Sequence, residues 1–142
     1  MIEFVHWADA VCEAPSLASA DVMAALGIDS ALVTRVGSQL CCPAPEGVEQ
    51  LELVLERGGT DRVAFVTAVL TGDVPVAGLE ARFGAGRTAV AAPHGSAPTV
   101  VFGRRRPVGA ARSCTVLARL TAPGADRVAV VSLYLHADPG RP

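Results

Sequence analysis

Two segments, 62–70 and 127–136, constrain this chain more than any other part of its sequence. In a strand, successive side chains point to opposite faces. One face of the first segment carries Ala64, Val66, Ala68 and Leu70, and the same face of the second carries Ala129, Val131, Leu133 and Leu135. The opposite faces carry Val63, Phe65, Thr67, Val69 and Thr71, and Val128, Val130, Ser132, Tyr134 and His136. Both faces are therefore mostly apolar. Strands of this kind sit mid-sheet with cover on both sides, or line a cavity. The segments also echo each other. Asp61-Arg62-Val63-Ala64-Phe65-Val66 matches Asp126-Arg127-Val128-Ala129-Val130-Val131, and each comes after a glycine-containing turn. The flanking residues do not match, which favours a shared local solution over duplication.

The remaining segments are arranged around these ribbons. Residues 2–7 read as a short strand. Pro15-Ser16 opens a helix that Ser16 or Ser19 caps, with Asp21 in its first turn. Val22, Met23 and Leu26 form its stripe and Gly27 ends it. Asp29-Ser30 opens a second helical stretch, with Leu32, Val33, Val36 and Leu40 on one face. Thr34 and the valines also suit a strand there. Residues 41–47 form a loop with two prolines. From Val48 the period becomes two, with Leu51, Leu53 and Leu55 alternating with Glu52, Val54 and Glu56. Residues 72–75 break the strand that starts at Arg62. Residues 79–83 with 87–91, and 113–121 with 127–136, read as hairpins, and 99–102 as a short strand.

Only the N-terminal helices are available to cover the sheet. The expected fold class is α+β: one or two N-terminal helices packed on a curved antiparallel sheet of about six to seven strands, a roll or partial barrel. All 142 residues form one domain. Within it, 1–47 is the helical part, 48–137 the sheet and 138–142 a tail. The order resembles cystatin-like and nuclear-transport-factor-like cones in architecture alone, and no motif carries over.

Composition narrows the function classes. The chain is 51% hydrophobic with a net charge of −2, which excludes disorder. No apolar run reaches the ~18 residues of a spanning helix. A slightly acidic balance without lysine argues against a nucleic-acid partner. Lys and Asn are both absent, and Ala, Val, Arg and Gly abound, as in a high-GC bacterial gene. Arginine then stands where other genomes write lysine, so its mere presence says little about bidentate recognition. Residues 1–7 lack a basic region followed by an apolar core, which points to a cytoplasmic chain. Cys12, Cys41, Cys42 and Cys114 include no C-x-x-C, so no metal is expected and the thiols are expected to be reduced. No phosphate or dinucleotide loop and no nucleophile elbow is present, so no cofactor is expected.

Several places hold candidate chemistry. Ser132, Tyr134 and His136 alternate on one face, with Thr67 and Thr71 beside them if the echoed strands are neighbours. On a concave face, His136 supplies a general base, Tyr134 a donor, and Thr67 and Ser132 ligand contacts. The plainer reading makes Tyr134 a space-filling ring and His136 a solvated strand end. His6-Trp7-Ala8-Asp9 offers an imidazole near a carboxylate, and Trp7 a surface for a ligand. His94 sits in a loop. Arg104, Arg105 and Arg106 form the one charge cluster, a partner-binding candidate or a solvated turn. Two functions are consistent with these features. The first is a small non-catalytic interaction domain of inhibitor, immunity or accessory type with a protein partner. The alternative is a small-molecule pocket protein for an apolar ligand, with a cofactor-free isomerase or cyclase among its forms. Self-association through a sheet face or edge is a third.

Overall fold

The computed structural model describes residues 4–58, 60–88, 98–110, 112–122 and 124–136. His94 and the tail lie outside the described residues. Among the described residues, three helices and eight strands run in the order α1 (Phe4–Glu13), α2 (Ser19–Ala25), β1 (Thr34–Val36), β2 (Gln39–Cys42), β3 (Val48–Leu55), β4 (Val63–Pro75), α3 (Val76–Phe83), β5 (Arg87–Thr88), β6 (Thr99–Arg105), β7 (Cys114–Leu120) and β8 (Arg127–Leu135). The strands make one antiparallel sheet in the order β1-β2-β3-β4-β8-β7-β6-β5, with β1 and β5 as its edges. The fold is the expected α+β roll, open rather than closed. Register shifts interrupt the β3–β4, β4–β8, β6–β7 and β7–β8 pairings, and such irregularities bend a sheet.

The core is organised in rows across the sheet. Leu40, Leu53, Val66, Leu133 and Val116 stand opposite one another on β2, β3, β4, β8 and β7. Leu51, Ala68, Val131, Ala118 and Val100 make the next row, and all ten are buried. α1 lies against β7 and β8, and α3 against β4 and β6. Ala8, Val11 and Cys12 of α1, Val22 and Met23 of α2, and Leu79 of α3 complete the same core.

Four segments depart from the sequence reading. Residues 4–13 are a helix, not a strand from residue 2. Ala8, Val11 and Cys12 are buried at helical spacing, and that period outweighs the β-branched residues before it. Asp29 does act as a cap, accepting from the Ala31 N–H at 3.0 Å, but the helix it starts is a single 3-10 turn, Ser30–Leu32. β-branched Val33, Thr34 and Val36 then turn the chain into the β1–β2 hairpin, so the sheet begins before residue 48 and includes both Cys41 and Cys42. β4 runs on through 72–75 instead of breaking there, and an irregular pairing between Val69 and Val74 absorbs the glycine. Residues 76–83 are helical where a hairpin arm was expected. Val76, Leu79 and Phe83 recur at helical spacing, and Phe83 packs on Phe102 with ring centroids 6.1 Å apart.

α2 forms as expected and ends in a Schellman motif. Gly27, at φ +72°, donates to the Ala24 carbonyl at 3.2 Å, and Ile28 donates to that of Met23 at 2.9 Å. Neither expected serine caps its start. Ser16 Oγ donates to the Asp21 carboxylate at 2.6 Å, and Ser19 Oγ to that of Asp61 at 2.8 Å.

Leu133→Ala removes a fully buried member of the first row and should lower the unfolding free energy by about 2–5 kcal/mol in urea titrations. Val108→Ala, at a side chain fully open to water, should change it by less than about 0.5 kcal/mol.

Candidate functional site

The helices cover only one face of the sheet. The other is the face on which Thr67, Ser132, Tyr134 and His136 were singled out, and it is half-open to solvent rather than doubly covered. Phe65, Thr67, Val69, Val130 and Ser132 are half-buried there, and Tyr134 is 39% exposed. The difference arises because all three helices contribute to the core on the other face, which leaves this one without a covering layer among the described residues.

Register brings the predicted residues together. β4 and β8 are neighbours at the centre of the sheet, with Phe65 opposite Tyr134 and Thr67 opposite Ser132. Thr67 Oγ1 and Ser132 Oγ share a hydrogen bond of 3.1 Å. Phe65 and Tyr134 pack with ring centroids 5.0 Å apart, and Tyr134 meets the His136 ring edge-on at 4.8 Å. Thr71 has no partner on β8: it falls in the stretch between Val69 and Val74 where the β4–β8 register is interrupted.

His136 is held on both ring nitrogens. Arg104 Nη2 lies 3.0 Å from Nδ1, and Thr115 Oγ1 lies 2.7 Å from Nε2. A guanidinium only donates, so Nδ1 accepts and Nε2 carries the proton, which it donates to the threonine hydroxyl. Burial, and then the Arg104 charge, hold the His136 pKa below its ordinary value. The imidazole is therefore neutral, and its acceptor lone pair is already engaged. Thr115 and Arg104 escaped sequence reasoning as partners of His136. The β7–β8 register, which sets Thr115 opposite Tyr134, supplies the missing link.

The arginine cluster does not form one patch. Arg104 and Arg105 lie on β6, where successive residues face opposite ways. Arg104 faces the open side beside His136. Arg105 faces the helices, donating from Nε to Asp9 Oδ1 at 2.6 Å and from Nη2 to Oδ2 at 3.1 Å. That contact, above all, raises the Arg105 pKa and ties β6 to α1. Arg106 is exposed beyond the strand end.

Trp7 lies elsewhere, on α1, half-buried at the rim of a cavity of about 320 Å³ that Leu26, Ile28, Leu32, Pro43 and Leu51 also line. Its neighbour His6 is exposed. All four cysteines are free, with Cys12 and Cys114 buried together. Contact with Cys12, and then burial, push the Cys114 thiol up, which keeps it protonated and unreactive. Among the described residues no helix is long and apolar enough to cross a membrane.

Because the fold holds His136 neutral, the unfolded chain binds more protons than the native one around pH 6. Stability should therefore rise with pH through the ordinary histidine value of 6.5 and be lost as pH falls below it. Unfolding free energies measured from pH 5 to 8 should show a shallower slope for His136→Gln than for the wild type. Equal slopes would remove the assignment. No family model, curated protein or solved structure matches the chain.

Proposed function

We propose that this chain is a small non-catalytic interaction domain, of the inhibitor, immunity or accessory kind, that docks a protein partner on its open sheet face. The observation that carries this reading is the Phe65–Tyr134 pair at the centre of that face, flanked by polar groups already satisfied among themselves. Aromatic anchors within a polar rim are the anatomy of a binding hot spot. An engaged, neutral His136 is better suited to a contact surface than to proton transfer. Register rows place Arg104, Arg119 and Arg87 on this face over β5–β7, with Glu52 on β3. The partner is therefore acidic where it meets β5–β7. Buried free thiols suit the reducing cytoplasm of a bacterial cell.

The second reading, a protein that holds a small apolar ligand, rests on the Trp7 cavity rather than on the Ser132/Tyr134/His136 face. Its size falls at the low end for ligand sites, and its wall is largely apolar. Trp7 is the one tryptophan, so its fluorescence separates the two readings. Quenching by an uncharged apolar quencher such as bromobenzene, lost in Leu26→Arg, supports the cavity.

The partner reading is tested by quantitative capture from extract of the source cell. Tyr134→Ala should weaken capture by about 2 kcal/mol or more, roughly thirtyfold, with the urea midpoint little changed. Arg104→Ser with Arg106→Ser should slow association and flatten its salt dependence. Arg105 is left intact because it holds Asp9. Capture unchanged in both variants would overturn the reading.

A further inference from the structure

The cavity beside Trp7 has a charge pattern that narrows what it can hold. Trp7, Leu26 and Ile28 are half-buried against the edge of the core, and all three line it. Leu32 lines it too, although that residue is 64% exposed. An apolar group lying in the cavity would take this surface out of water, which is favourable. Pro43, Ala44 and Pro45 of the β2–β3 connection add no side-chain donor or acceptor to the lining.

Asp29 is the one charged residue among those that line the cavity. The Schellman turn at Gly27 brings the chain out of α2, and Asp29 then caps the 3-10 turn that follows. That cap uses one oxygen, with Oδ1 accepting from the Ala31 N–H at 3.0 Å. Among the described residues, Oδ2 has no hydrogen-bond partner and no arginine or histidine pairs with the carboxylate. Arg35, the arginine nearest to it in sequence, donates its Nε to the Gly37 carbonyl at 3.0 Å instead. The cavity thus brings together an apolar wall, an indole and a carboxylate without a counter-ion. Asp29 is exposed, so it selects between ligands by several-fold rather than by orders of magnitude.

The three elements discriminate by charge. An anion would meet Asp29 with no cation in the lining to offset it. A neutral apolar molecule gains the wall alone. A cation gains the wall, the carboxylate and the attraction of an aromatic ring. We propose that this cavity binds a small organic cation, an alkylammonium whose apolar body lies on Leu26, Ile28 and Leu32 and whose charged head meets Asp29. The inference rests on the cavity reading and not on the partner reading, because no residue of the lining belongs to the open sheet face.

The test is an NMR titration of the intact chain, read at the indole N–H of Trp7, which as the one tryptophan gives a single such signal. Benzylammonium, benzyl alcohol and benzoate, close in shape and different in charge, are added at matched pH and ionic strength. Benzylammonium should shift the signal saturably and bind about fivefold more tightly than the alcohol, with benzoate weakest. Asp29→Asn keeps the cap, because its amide oxygen still accepts from Ala31, and should bring the ammonium down to the level of the alcohol. Nα-acetyl-lysine amide, run beside benzylammonium, separates the two sources of the head group: the tighter of the two names a lysine side chain or a free amine. Equal affinity for ammonium and alcohol, or a preference that survives in Asp29→Asn, would overturn the proposal and leave the cavity reading standing. If no probe moves the indole signal, both fall.

Discussion

The burial of one face of the β4–β8 pair sets the rest of this structure. Val66 and Leu133, with Ala68 and Val131 beside them, are nearly inaccessible to water and stand at the centre of rows that cross five strands. Burial of aliphatic side chains stabilises by about 1.5–3 kcal/mol each, so this layer supplies the main driving force for folding. A row of that kind fixes register absolutely, because a slip of one residue would turn Leu133 and Val131 to solvent. Once register is fixed, the positions of Thr67, Ser132, Phe65 and Tyr134 are set without further choice. The candidate surface is the reverse side of the core.

Covering that face is the work of all three helices, not of the N-terminal two alone. α1 and α2 supply Val11, Cys12, Val22 and Met23 to the core, and α3 reaches it with Leu79. The Arg105–Asp9 fork then fastens the sheet to α1 at the rim of the core. Both side chains are about a third exposed, so the fork adds orientation more than stability. With the helices all on one side, the opposite face stays open. The chain has no further element among the described residues to place there.

The fold class was legible because it depended on period alone. Alternation at Leu51, Leu53 and Leu55, and the two echoed ribbons, gave three central strands, β3, β4 and β8, and the turns between segments gave the antiparallel sense. The N-terminal segment misled because residues 2–7 include β-branched Ile2 and Val5, while the burial that decides it falls three and four residues apart at Ala8, Val11 and Cys12. Residues 31–40 carried both signals, and the β-branched one prevailed as Leu40 paired with Leu53 of β3. The candidate site was legible in part for the same reason. Ser132 and Tyr134 share a face by period, which is visible in sequence, whereas Thr67 joins them only through the β4–β8 pairing, which the sequence left conditional. That this face is open was not legible, since α3 was read as a strand and the number of covering helices was therefore unknown.

The arginines show where reading by residue type fails. Three in a row suggested one cationic patch, yet the pleat sends Arg104 and Arg105 to opposite sides of the sheet. One pins a neutral histidine on the open face, and the other is neutralised by Asp9. Arg112, unremarkable in sequence, keeps a buried donor without an acceptor. What distinguishes these residues is the number of partners each fold position supplies, two for Arg105 from one carboxylate and none for the Arg112 Nε among the described residues. Charge density along the chain says nothing about that number. Register and burial determine it, and among the described residues they leave a buried donor unmet at Arg112 rather than in the arginine run.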